Sequence, residues 1–485
     1  MIKLSLVLVL VLLISGLFAA DVLFLNGLNE TTYIYRTAKD SLNSYFRDAF
    51  SFSMGYRDFS LGVKFLAELP KYSTDQNQLM DELNPNKLDV KWTERYLEFE
   101  RDNLILHGGT ITESFGSGMV LRAWEDLEFD TDTRLDGFLV KYNKGIKLKA
   151  MYGALPNRNQ ATKYDLVYGA DTELPFMNNY DFGVSILTLR TLNALNIYNQ
   201  QDVYAGRLNW TFDEMDGSVE YAKTALFNNS GANHEGTGIN AYTNIYLKPS
   251  YVKSVTLGAG YKSYDKFQYR VQDLKTNNYH NETLADNLTT GEDEEGLQGS
   301  MSVVLTDEMT YNVNYAEAWN SDFKLRMSDL YTSFEWQCGN LVLLAEYGQT
   351  EKLDKVIDHW QQDLTPAISV SMPFMDYSFT SKFEYEYIEK ANHDETQWHY
   401  EPMLQADLGM GKLSVSLAAE SQWKYMEDVT KGRYWANCEV KYALFNHTDV
   451  TLFAGRQAGG KVCRNGTCRY VAPFQGVKLE AVTRF

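Results

Sequence analysis

Long stretches of this chain alternate apolar and polar residues with a period of two. That pattern restricts them to sheet. Phe46, Asp48, Phe50, Phe52, Met54 and Tyr56 share one face, and Arg47, Ala49, Ser51, Ser53 and Gly55 the other. After Arg57-Asp58 the rhythm resumes, with Phe59, Leu61, Val63 and Phe65 set against Ser60, Gly62, Lys64 and Leu66. It returns at 146–152, 377–387 and 413–419. A helix repeats every 3.6 residues, so only a strand places these sets on opposite faces. The runs last about nine to twelve residues, against about five to six for a soluble strand. A tilted membrane-crossing strand needs about 9–11. An open sheet in hydrocarbon would leave edge groups unpaired at several kcal/mol each, so the expected architecture is closed.

The connections alternate as well. Short links fall at Arg57-Asp58, Arg101-Asp102, 143–144, 213–216, 306–308, 338–339, 409–411 and 446–447. Longer polar segments fall at 70–90, 113–132, 191–201, 228–237, 263–297, 350–365, 389–402, 423–432 and 458–473. The expected fold class is all-β: a transmembrane antiparallel β-barrel of about 24 strands (range roughly 18–24), with short periplasmic turns and long extracellular loops. The alternation is weakest at 31–37, 163–171 and 366–374. Composition agrees, since 33 Tyr and 25 Phe against 9 Pro suit pleated strands and exclude disorder. A net charge of −19 argues against a nucleic-acid partner, which needs a basic face.

Residues 1–20 pair a charged start with an apolar run and small residues, the layout of a secretory signal peptide. An uncleaved anchor is the competing reading, because the run approaches the spanning length of about 20 residues. Residues 21–485 then form a single barrel domain. At the other end Val477, Leu479, Ala481 and Phe485 share a face opposite Lys478 and Glu480. This ending resembles the terminal-strand signal of Gram-negative outer-membrane proteins. It implies the cell outer membrane as location, with its lipids and lipopolysaccharide as partners, and the assembly machinery as a partner through Phe485. Cys463 and Cys468 flank a turn-rich tetrapeptide and are disulfide candidates, preferred over zinc because no second pair or nearby His completes a site. Cys338 and Cys438 fall in strand-like segments as packing residues.

The densest polar constellation spans residues 113–136. Met119-Val120-Leu121 is too apolar to float in water, so segment 113–132 is expected to fold into the lumen, where it narrows or helps to plug a pore. A loop packed on its own rim is the competing reading. The pore or constriction candidates are Glu113, Arg122, Glu125, Asp126, Asp130, Asp132, Arg134 and Asp136. The order Arg95-Tyr96, Glu113, Phe115-Gly116, Gly118, Arg122, Glu125-Asp126 and Leu135-Asp136-Gly137 resembles an uncharacterised family of Gram-negative outer-membrane β-barrel proteins, best over residues 91–155. The resemblance implies fold and location and carries no activity or catalytic residues.

Enzyme patterns fail on inspection. Gly455–Val462 approaches a P-loop but has Val462 where Ser or Thr must hold magnesium. His107-Gly108-Gly109 lacks a nucleophile elbow anywhere in the chain. His393 and His399 match no standard metal spacing, and Glu292-Asp293-Glu294-Glu295 reads as a solvated loop without ordered calcium-ligand spacing. No enzyme, cofactor or metal is expected. The expected function is a porin-like channel for small polar solutes, with Lys64, Glu68, Lys382 and Glu384 on the lumen side; the alternative is a non-conducting surface or envelope-complex barrel.

Overall fold

The computed structural model describes residues 23–37, 44–69, 88–126, 131–157, 163–193, 197–227, 234–284, 290–392, 395–424, 433–464, 467–471 and 473–485. Residues 1–20 lie outside them. Twenty-four strands form one antiparallel sheet, each paired with its sequence neighbours, and strand Phe24–Arg36 closes on strand Phe474–Arg484. Gly27 and Phe485 exchange both backbone hydrogen bonds at this seam, 2.7 and 3.0 Å. Three short hairpins are extra to the barrel: Glu113–Phe115 with Leu121–Ala123, Glu125–Asp126 with Thr131–Asp132, and Gly460–Arg464 with Thr467–Val471. Among the described residues no helix is long and apolar enough to cross a membrane.

One end of the barrel carries tight links, where Arg57, Asp102, Gly145, Gly339 and Gly411 adopt positive φ. Such turns match the twist of the flanking strands. The opposite end carries the long loops. Two expectations about those loops fail. Segments 350–365 and 389–402 are mostly strand, within Leu341–Asp354, His359–Phe374, Tyr377–Asn392 and Glu395–Met410. Their upper halves carry polar residues such as Glu351, Gln362, Glu389 and Thr396 among the aromatics of the outer face, so alternation blurs while the ladder continues. The weak segments 31–37, 163–171 and 366–374 lie largely within strands.

The register separates the two faces. Phe138, Leu404, Leu417 and Leu479 point outward and are 44–71% exposed, while Leu139 and Met151, one residue out of phase, are nearly buried inside. Aromatic pairs ring the outer face near each end: Phe59 with Phe99 and Tyr180 with Phe212 at the short-turn end, and Tyr385, Tyr400, Trp423 and Tyr434 near the loop end. Tyr377 and Tyr387 stand ten positions apart on one strand face. With a rise of about 3.3 Å and a tilt of about 40°, they bracket an apolar band about 25 Å tall. Twenty-four strands spaced by about 4.8 Å at that tilt enclose a barrel about 48 Å across.

Candidate functional site

Two loops from the long-loop end enter the lumen. The first follows the short strand Leu104–Ile111, turns back at Gly116 and returns to strand Leu135–Lys144. Its Phe115, Met119, Val120 and Leu121 are 0–1% exposed. They pack into one cluster with the inward residues Leu139, Met151, Leu155, Val167, Leu187 and Val203. The apolar side chains that the sequence placed on a loop therefore cover an apolar patch of the inner wall.

The second loop, residues 266–292, completes this core with Phe267 and Val271. The loops are joined through their backbones: Arg122 N–H donates to the Val271 carbonyl at 2.7 Å, and Asp273 N–H to that of Gly118 at 3.1 Å. The Arg122 guanidinium pairs with Asp273 at 2.5 Å and lies 4.1 Å over the Trp124 ring. The Tyr269 hydroxyl, 2.7 Å from the carbonyl oxygens of both Met119 and Val120, donates to them. Burial, reinforced by the Glu220 charge, drives that hydroxyl well above its ordinary pKa, so it stays a neutral donor.

Charged contacts fasten the loops to the wall. Glu220, 2% exposed, accepts the Ser117 N–H at 2.9 Å. Arg134 gathers Asp132, Glu125 and Glu94 at 2.7, 2.9 and 3.4 Å, and Glu125 also meets Lys64 at 3.1 Å. Further along, the second loop reaches strands Leu325–Cys338 and Leu341–Asp354, a few strands on around the wall. There Asp329 accepts the N–H groups of Tyr279 and His280 and meets His280 Nδ1 at 2.6 Å. Tyr279 stacks on Tyr331 with centroids 3.5 Å apart, and Lys352 pairs with Glu282 at 2.7 Å.

Glu113 sits between Lys141 and Lys149, at 2.5 and 2.9 Å. Those lysines lie directly opposite each other on paired strands and would repel without it. Burial pushes the Glu113 carboxyl up, but hydrogen bonds and charge from the two lysines outweigh it and hold the group below its ordinary value. A carboxyl depressed in the docked loop stabilises docking above its free pKa of about 4.3 and loses that contribution as pH falls through the depressed value. Acidification below about pH 4 is therefore expected to speed amide exchange across 113–123. The step should vanish in Glu113→Gln; equal pH dependence in both proteins would refute the assignment.

The sequence-derived candidates divide accordingly. Glu113, Arg122, Glu125, Asp132 and Arg134 belong to the loop or its anchoring. Asp136 does not face the lumen: one residue out of phase with Leu135, it points outward and pairs with Arg95 at 2.5 Å. The Asp126 side chain and Asp130 lie outside the described residues. Glu294 corrects the reading of 292–295 as a solvated loop, being buried against Lys262 inside strand Asp293–Thr306. Cys463 and Cys468 face each other across a backbone pairing. Directly opposite Cα atoms stand about 4.5–5.5 Å apart, within the span of a disulfide. His393 lies outside the described residues, and among these no group of three His, Cys, Asp or Glu residues could hold a metal. Sequence reasoning missed Glu220, Asp273, Asp329 and Tyr269, whose partners are far away in the chain and leave no local spacing.

A closed antiparallel barrel with tight turns at one end, an outer apolar band and loops folded inside belongs to the outer-membrane class of β-barrels. The chain belongs to the family of unknown function DUF6029, whose model matches residues 6–290. No curated protein matches it. Among solved structures it is similar to a chain of the E. coli P pilus tip assembly intermediate PapC-PapD-PapK-PapG, with TM-score 0.58 and 9% identity over 96% of this chain. The chain spans 61% of that chain's length. It is also similar to the siderophore receptor PirA from Pseudomonas aeruginosa, with TM-score 0.50, 11% identity, and coverage of 96% of this chain and 80% of that one. At these identities the likeness shows the fold alone.

Proposed function

We propose that this protein is an outer-membrane channel for small polar solutes, narrowed but not filled by its two lumen loops. The observation carrying this reading is the mismatch between barrel and plug. A barrel about 48 Å across at the backbone encloses more space than two loops seated against part of its wall. The arc from strand Tyr377–Asn392 through Phe474–Arg484 presents a polar lumen face. It carries Lys382, Glu384, Glu386, Glu401, Gln405 and Glu420. A polar wall facing water needs no buried partner, whereas the apolar wall opposite it requires the loops.

In this reading the 25 Å outer band meets lipid, the tight turns face the periplasm, and the loops face the exterior beside lipopolysaccharide. Phe485 supplies the terminal aromatic for assembly. The test is single-channel recording of the detergent-folded protein in a planar bilayer under a salt gradient. Discrete steps of stable size are expected, with mild cation preference from the acidic arc. Silence from protein shown to be inserted would replace the channel with a non-conducting surface barrel.

A further inference from the structure

The inner wall has a second chemical region, on six consecutive strands from Met215–Phe227 to Leu325–Cys338. On the short-turn side of the loops, their lumen face bears amides, hydroxyls, glycines and tyrosines. Among the described residues its charged side chains are Asp216 and Glu335, both near the turns. The contrast with the acidic arc across the lumen is sharp.

Tyr242 and Tyr246 stand four positions apart on one face of strand His234–Leu247 and are 48% and 39% exposed. The row through Asn244 continues as Gly258, Ser300, Asn314 and Tyr331. Gln298 donates to Asn314 at 3.2 Å. A Cβ at Gly258 would meet Ser300 Oγ at 2.3 Å, so Ser300 lies flat over bare backbone and leaves a shallow trough between tyrosines and amides. Asn277 of the second loop hangs over this trough. Its Nδ2 is 3.7 Å from the position of a Gly260 Cβ, buried and without a partner. A buried donor with no acceptor leaves a hydrogen bond for an enclosed water to complete.

Resting on the channel reading, we propose that this wall binds neutral polyhydroxylated solutes, a sugar or short oligosaccharide, during passage. Hydroxyls both donate and accept, as the facing amides do, so each can be matched. A neutral solute also avoids the desolvation cost that an ion would meet on a wall whose charges, Asp216 and Glu335, lie near the turns, Asp216 already holding the Tyr246 hydroxyl. The exposed tyrosine rings offer amphipathic platforms: a negative face for the C–H side of a sugar ring, and a polar hydroxyl at the edge.

Maltotriose serves as the probe, titrated into single-channel recordings and, separately, into calorimetry of the detergent-folded protein. Saturable block of the salt current and saturable heat are expected. The double variant Tyr242→Ala/Tyr246→Ala should raise the half-blocking concentration about tenfold, equivalent to about 1.4 kcal/mol. Polyethylene glycol of equal size should give no saturable heat. Equal block by both solutes, unchanged in the variant, would reduce the effect to size and overturn the proposal. Current without block or heat would overturn it while the channel stands. Absence of current with variant-sensitive heat would sink the channel and keep the sugar site.

Discussion

Replacing residues 112–134 by a four-residue turn is expected to raise single-channel conductance severalfold. The replacement is geometrically mild, because Ile111 and Leu135 lie directly opposite each other on paired strands. A short hairpin link can join them. It removes Phe115, Met119, Val120 and Leu121 from the lumen, and with them the carbonyls and Arg122 that hold the second loop. The newly wetted wall includes Leu139, Met151, Leu155, Val167, Leu187 and Val203. Fully buried aliphatics of this kind contribute roughly 1.5–3 kcal/mol each, so thermal unfolding should also come earlier. Gly116→Val offers a milder route. Its φ of +57° disfavours a side chain, and a Cβ there would stand 2.3 Å from Glu220 Oε1. Unchanged conductance in both variants, with the barrel folded, would show that the first loop does not restrict passage.

Gly476→Val should abolish the closed barrel, read as loss of the compact, fast-migrating band of unheated protein on a denaturing gel. Gly476 has a φ of +152° and lies opposite Arg36 in the closing seam. A Cβ would fall 1.9 Å from the Tyr35 carbonyl oxygen. That neighbour is backbone and cannot swing aside, so relief requires opening the ladder. The matched control is Gly299→Ala on a central strand, where an added Cβ meets nothing within 4 Å. A heat-modifiable band of normal mobility from Gly476→Val would mean that the seam tolerates displacement.

The barrel was legible because its signal is local: each strand announces its two faces within ten residues, and each tight link shows its turn residues. The first loop was legible for a related reason, since three consecutive apolar residues on a polar segment must find cover. The second loop was not. Phe267, Tyr269, Val271 and Leu274 follow no period, and their cover is a segment about 150 positions earlier. The upper ends of the strands at 341–410 were not legible because Glu351, Gln362, Glu389 and Thr396 break the apolar row of the outer face. Asp136 was misplaced for want of one fact, the phase of the strand that begins at Leu135. The neutral wall went unread for a similar reason, since Tyr242, Gln298 and Tyr331 become neighbours only through register.

The seam between Phe24–Arg36 and Phe474–Arg484 also imposes an order in time. Every other ladder of the barrel joins strands that follow one another in sequence, and these can zip as hairpins. Tyr33 and Leu479, by contrast, meet from more than four hundred positions apart. The slow search of folding is thereby concentrated in a single encounter. Until it succeeds, both terminal strands expose unpaired edges, each a template for a wrong partner. A chain built this way is most vulnerable just before it is finished.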